Sequence, residues 1–178
     1  MSISPRTRQR SRDAWLAAAV LLTMSAGSAA APTFDLQCSL TAPARVVAGQ
    51  PVPLRFTLAN RGPVGVQVLE WGTPFEGWFG AYVEVSRDGV AVAYRGPMVK
   101  RGDPAADEYL RIAPHRARRA EVDLAQPFDL SVPGVYRMQP RITLFDVAAA
   151  GSPAPRSRDR HVPLTLSCPA FEVRVQAH

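Results

Sequence analysis

LEWGTPFEGWFGAYVEVSRDGVAVAYRGPMVKRG, residues 69–102, is the stretch whose reading decides the fold. In its second half Val83 and Val85 alternate with Glu84 and Ser86, Asp88-Gly89 follows, and Val90, Val92 and Tyr94 resume the alternation. Two period-2 runs around a dipeptide that readily takes positive φ predict a β-hairpin with Gly89 in its turn. Ahead of the hairpin lies a loop dense in rings and glycines: Trp71, Phe75, Trp78 and Phe79 among Gly72, Gly77 and Gly80. Behind it a basic loop carries Arg101 and Lys100, the sole lysine of the chain. The rings either fold inward as core beneath a long connection, which burial tendency favours, or face outward to anchor a partner, since Trp, Tyr and Arg dominate interface hot spots. The exposure of Trp71 and Trp78 discriminates between the two.

Working outward, the same period continues. Phe34, Leu36 and Cys38 alternate with polar residues, as do Leu54, Phe56 and Leu58, and Val64, Val66 and Val68 lead into the aromatic loop. Turns fall at 48–51 and 60–63. Downstream, 103–108 suits a short helical turn, 109–112 a short strand, and Ala120, Val122 and Leu124 another. A Pro133-Gly134 turn then opens a long strand in which Tyr136, Met138, Ile142 and Leu144 share a face. A tyrosine just after such a turn matches the tyrosine corner of immunoglobulin-like domains, which assigns Tyr136 and Gly134 structural roles. Residues 148–160, small, Pro-rich and charged, read as a mobile surface loop, and 164–168 and 171–175 close the domain. About eight or nine short strands without a long helix predict an all-β fold, an immunoglobulin-like antiparallel β-sandwich.

The first thirty residues read as a signal peptide. Arg6, Arg8, Arg10 and Arg12 form a basic head, residues 14–24 an apolar run, and Ser28-Ala29-Ala30 a cleavage site before Ala31. Eleven apolar residues fall short of the roughly 20 that span a bilayer, so no membrane insertion is expected after cleavage. Residues 31–178 then form one exported domain, periplasmic or secreted. Of the net charge of +6, the leader accounts for four Arg and one Asp, which leaves 17 basic against 14 acidic residues, or +3. That balance excludes a dense basic face of the kind nucleic acid needs. The run His115–Arg119 reads as a solvated turn. Two cysteines in an exported chain predict one disulfide, Cys38 to Cys168. Closing so long a loop stabilises by about 4–5 kcal/mol in the chain-entropy model.

No enzyme motif is present. His115, His161 and His178 lie apart and outside any HExxH, and the sequence holds no GxSxG, Walker loop or GxGxxG. Two cysteines alone make no zinc site. The expectation is a non-catalytic domain with no metal and no cofactor.

Four blocks together, TPFEGWFG (73–80), RDG (87–89), YRGPMVKRG (94–102) and FDLSVPGVY (128–136), resemble the amino-terminal region of bacterial secreted peptidyl-Lys metalloendopeptidases of the deuterolysin group. There a β-rich segment precedes a zinc catalytic domain. The resemblance spans residues 53–144, about half of the chain. The chain ends where the catalytic domain should begin, so the zinc site has no counterpart and the protease activity does not carry over. What the resemblance implies is a propeptide-like domain that restrains a secreted metalloprotease, or helps it fold, in trans. The similar proteases recognise lysine beside the scissile bond, so Lys100 is either a substrate mimic or an ordinary solvated cation. The alternative function is a periplasmic or secreted adhesion or assembly module that uses its aromatic loop or an open strand edge as the contact.

Overall fold

The computed structural model describes residue 1 and residues 33–178, so the predicted leader and its cleavage site lie outside the described residues. Thirteen strands follow one another among them: β1 (Leu36–Thr41), β2 (Arg45–Val47), β3 (Pro53–Asn60), β4 (Val66–Leu69), β5 (Val83–Arg87), β6 (Val90–Val92), β7 (Tyr109–Ile112), β8 (Ala117–Asp123), β9 (Gly134–Pro140), β10 (Ile142–Leu144), β11 (Val147–Ala149), β12 (Leu164–Leu166) and β13 (Phe171–Gln176). Eight are of four residues or more, against the eight or nine strands expected from alternation. The remaining five are three-residue pieces, two of which, β2 and β11, escape the pattern because three residues hold too little period to register.

The fold is an immunoglobulin-like β-sandwich. One sheet runs β1-β3-β8 and the facing one β2-β13-β9-β5-β6, with smaller sheets β11-β4-β7 and β10-β12. The chain switches sheets between its first two strands: β1 pairs antiparallel with β3, and β2 pairs parallel with β13. The latter is the one parallel pair among the described strands, and the others are antiparallel as expected. A single apolar core lies between the layers, with Leu54, Phe56 and Leu58 of β3 and Tyr136 and Met138 of β9 all fully buried. Burying each such side chain stabilises by about 1.5–3 kcal/mol.

The predicted hairpin is β5-β6, in register Val85 to Val92 and Arg87 to Val90. Asp88 and Gly89 take φ of 50° and 86°, the two positive values a tight hairpin turn requires. The Tyr136 hydroxyl donates to the Val132 carbonyl at 2.8 Å and ties the start of β9 to the turn before it. Cys38 and Cys168 are bridged, which fastens β1 to the connection between β12 and β13.

Two expectations need correction. Arg118 and Arg119, read as part of a solvated turn, lie in β8, an edge strand, where exposed charges discourage pairing with another sheet. The stretch 148–160 is not a free loop either. Ala148 and Ala149 belong to β11, residues 158–160 form a single 3-10 turn, and Arg156 reaches back to a buried carboxylate, Asp146. A carboxylate with no exposure needs such a counter-ion, and the need draws the segment down onto the domain.

Candidate functional site

A cleft of about 720 Å³ opens between the aromatic loop, the basic loop and the segment 141–161. Four of the six residues singled out in the sequence, Trp71, Phe79, Lys100 and Arg101, line it. The other two do not. Phe75 packs edge-on against Phe56, centroids 5.1 Å apart, and Trp78 lies flat on Tyr82 at 4.4 Å while its indole donates to the Asp123 carbonyl at 2.9 Å. Trp78 belongs to the core and Phe75 packs against it, in line with the inward reading that burial tendency favours.

Trp71 and Trp78 are each only 6% exposed, so by the stated criterion neither is a surface anchor. The outward ring of the loop is Phe79, 44% exposed. Gly72, at φ 67°, lets the chain turn beneath the Phe145 ring, where an added Cβ would stand 2.7 Å from a ring carbon. The loop is also tied internally: Glu76 accepts from the Gly72 amide at 2.7 Å, and the Thr73 hydroxyl donates to the Glu70 carbonyl at 2.6 Å.

Arg101 is the bolt of this wall. Its guanidinium pairs with Glu76, lies 5.0 Å from the centre of the Trp71 ring and 5.6 Å from that of Phe79, and approaches Glu108 at 3.9 Å. The Trp71 indole donates to the same Glu108 carboxylate at 2.8 Å. Hydrogen bonds from the Ala105 amide and that indole hold the Glu108 carboxyl below its usual pKa. Arg101 is thus occupied within the fold. Lys100 beside it is exposed and joins no ion pair among the described residues.

Across the cleft the wall is built on Asp146. It accepts from the Arg156 guanidinium on both oxygens, from the Tyr109 hydroxyl at 2.8 Å and from the Val162 amide at 2.8 Å. Burial by itself raises the Asp146 pKa, and these hydrogen bonds outweigh it, so the net displacement is downward. Burial together with the bond to Asp146 pushes Tyr109 up to about 12. This node positions His161, whose ring meets Trp71 edge-on at 6.4 Å, and the 3-10 turn that carries Arg158. The Arg158 guanidinium donates to the Arg101 carbonyl at 2.8 Å, which joins the two walls.

The sequence reading missed this second wall. Phe145, Arg158 and His161 line the cleft, and one signal was available for the first: Ile142 and Leu144 face inward, which puts a large aromatic, Phe145, in the solvent register. Among the described residues no cluster of three or more His, Cys, Asp or Glu is placed to hold a metal ion. No described helix is long and apolar enough to cross a membrane.

No family model matches the chain. It is 29% identical over 103 residues to an extracellular protease of Aeromonas hydrophila, an alignment that takes in 58% of this chain and 29% of that one. The chain therefore matches less than a third of its relative's length. Two solved structures of the CARDB domain of the PF1109 protein from Pyrococcus furiosus are similar. The crystal structure, in complex with di-metal ions, is 12% identical with a TM-score of 0.38, covering 82% of this chain and 96% of that one. The solution structure is 14% identical with a TM-score of 0.35, covering 80% and 94%. The disulfide and the extracellular relative together point to a secreted chain.

Proposed function

We propose that the chain is a non-catalytic exported domain that docks on a secreted metalloprotease through the cleft, restraining it or assisting its folding. One observation carries the cleft as the contact. Exposed large apolar side chains gather there, with Phe79, Val99 and Phe145 lining it and Met98 and Val162 next in sequence to lining residues. A concentration of apolar groups with a polar rim marks a protein contact surface. The protease as partner is supported by the likeness to an extracellular protease and by the motif blocks around Lys100. In this reading Lys100, exposed and outside any ion pair among the described residues, extends into the partner beside the anchored Arg101 as a substrate-like cation, while Phe79 supplies apolar contact. The adhesion reading has no comparable observation in its favour.

The test is capture. The tagged chain is incubated with the exported proteins of its host, and what it retains is identified by mass spectrometry, with Lys100→Ala as the control. The expected result is a zinc metalloprotease retained by the native chain and lost by the variant. Retention of envelope proteins alone would sink the protease reading. Equal capture of the protease by Lys100→Ala would remove the substrate mimic.

A further inference from the structure

The charges of the cleft say what chemistry its occupant carries. Its lining holds Lys100, Arg101, Arg141 and Arg158 against a single carboxylate, Glu76. Glu76 is spent on Arg101, and Arg141 meets Glu84 at 3.2 Å on the outer surface. Lys100 and Arg158 remain without an ion pair among the described residues. Arg158 donates from one guanidinium nitrogen to the Arg101 carbonyl and from its backbone amide to the nearby Asp103 carboxylate at 3.0 Å, so its remaining guanidinium N–H donors have no partner among the described residues. A lysine acts on an anion as a point charge, whereas an arginine presents a planar fork that matches a carboxylate.

The apolar half of the surface selects among anions. Phe79, Val99 and Phe145 are 44%, 42% and 46% exposed at the same cleft, and such rings and branched chains gain from covering by other apolar side chains. Sulfated polysaccharide brings charge without apolar groups, and two uncommitted cations are too few for its backbone or for that of nucleic acid. The volume lies within the roughly 300–1,000 Å³ of sites that enclose small ligands, so the cleft holds a few side chains, not a folded body.

We infer that the cleft takes an acidic segment of a protein partner, one or two Asp or Glu carboxylates meeting Lys100 and Arg158 while a neighbouring aliphatic or aromatic side chain covers Phe79, Val99 and Phe145. The inference rests on the cleft as the docking surface proposed above and adds the chemistry of what enters it.

The experiment is fluorescence anisotropy of labelled synthetic peptides against the purified chain. Three are compared: alternating Glu and Leu, alternating Lys and Leu, and alternating Glu and Ser. The Glu/Leu peptide binds, weakens with added salt, and loses affinity by about tenfold in Lys100→Ala and again in Arg158→Ala. Both side chains are exposed and outside ion pairs among the described residues, and since Arg158→Ala also gives up the bond to the Arg101 carbonyl, circular dichroism and a thermal unfolding curve verify that each variant is folded. Equal binding of the Lys/Leu peptide overturns the inference. So does equal binding of the Glu/Ser peptide, which reduces the cleft to an ion exchanger, or full competition by dextran sulfate at matched charge. The two readings fail separately. Peptide binding in this pattern with no protease captured leaves the chemistry standing and removes the partner. Lys100-dependent capture of a protease with no peptide binding does the reverse.

Discussion

Trp71 and Trp78 sit seven residues apart in one loop and are equally buried, yet they belong to different parts of the molecule. Trp78 is held by core rings and by backbone. It stacks on Tyr82, meets Phe128 edge-on at 6.0 Å, and donates to a backbone carbonyl at the end of β8. Trp71 is held by side chains, with Glu108 on its indole nitrogen, Arg101 over its ring and His161 at its edge. Fractional exposure does not separate core from site here; the nature of the partner does. Trp78→Ala therefore has the largest expected effect, about 3–5 kcal/mol of stability from cavity formation, read as a lower denaturant midpoint. Trp71→Ala gives up its buried area with a hydrogen bond and a cation stack of about 1 kcal/mol each, but the space it leaves opens onto the cleft and no closed cavity forms, so it costs less. Equal losses would erase the comparison and make the whole loop core.

The second wall sharpens the contrast because it also rests on a charge. Arg156→Met strands the Asp146 carboxylate and is expected to cost about 3 kcal/mol at neutral pH. The pH dependence separates this from mere loss of packing. In the native chain the Asp146 pKa lies below its ordinary value, so its contribution is present above the unfolded pKa of about 4 and is lost as pH falls through the lower folded value. Without Arg156 burial is opposed only by Tyr109 and the Val162 amide, and the folded pKa moves up. The stability gap between variant and native chain should narrow as pH drops toward about 4, where the stranded carboxylate takes a proton. A gap that stays constant between neutral and acid pH would show that Arg156 acts by packing and not by charge.

These same residues mark where the sequence stops being readable. Strand period and turn chemistry are local, so the β5-β6 hairpin and its Asp88-Gly89 turn were visible in a dozen residues. The cleft is not local. It exists because the loops around residue 75 and residue 100 meet a segment around residue 158, and no periodicity records that meeting. Asp146 was the available hint. It interrupts the apolar run Leu144, Phe145, Val147, and a charge in such a run either leaves the core or demands a partner. The arginine-rich segment that follows supplied that partner, and so could not be the loose loop its proline content suggested. Residue type does not sort the rings of the aromatic loop either, since the backbone aims Trp78 inward and Phe79 outward.

The smallest effect on stability is expected at Lys100, and it is the most informative for function. Lys100 and Arg101 are neighbours of like charge on one loop, so chemistry alone would treat them alike. Geometry does not. Arg101 has a carboxylate, two rings and a second acid around it, whereas Lys100 is exposed and pairs with nothing described. Lys100→Ala should leave the unfolding midpoint within about 0.5 kcal/mol of the native chain, as surface substitutions outside any network do. Arg101→Ala should lower it measurably, since Glu76 is left 12% exposed and without its counter-ion. Paired unfolding curves for the two variants test this directly. If Lys100→Ala costs as much as Arg101→Ala, Lys100 belongs to the scaffold and any loss of binding in that variant reflects a disturbed wall. If its cost is nil while capture is lost, the ammonium group has no task within the fold, and the contact it makes lies outside the chain.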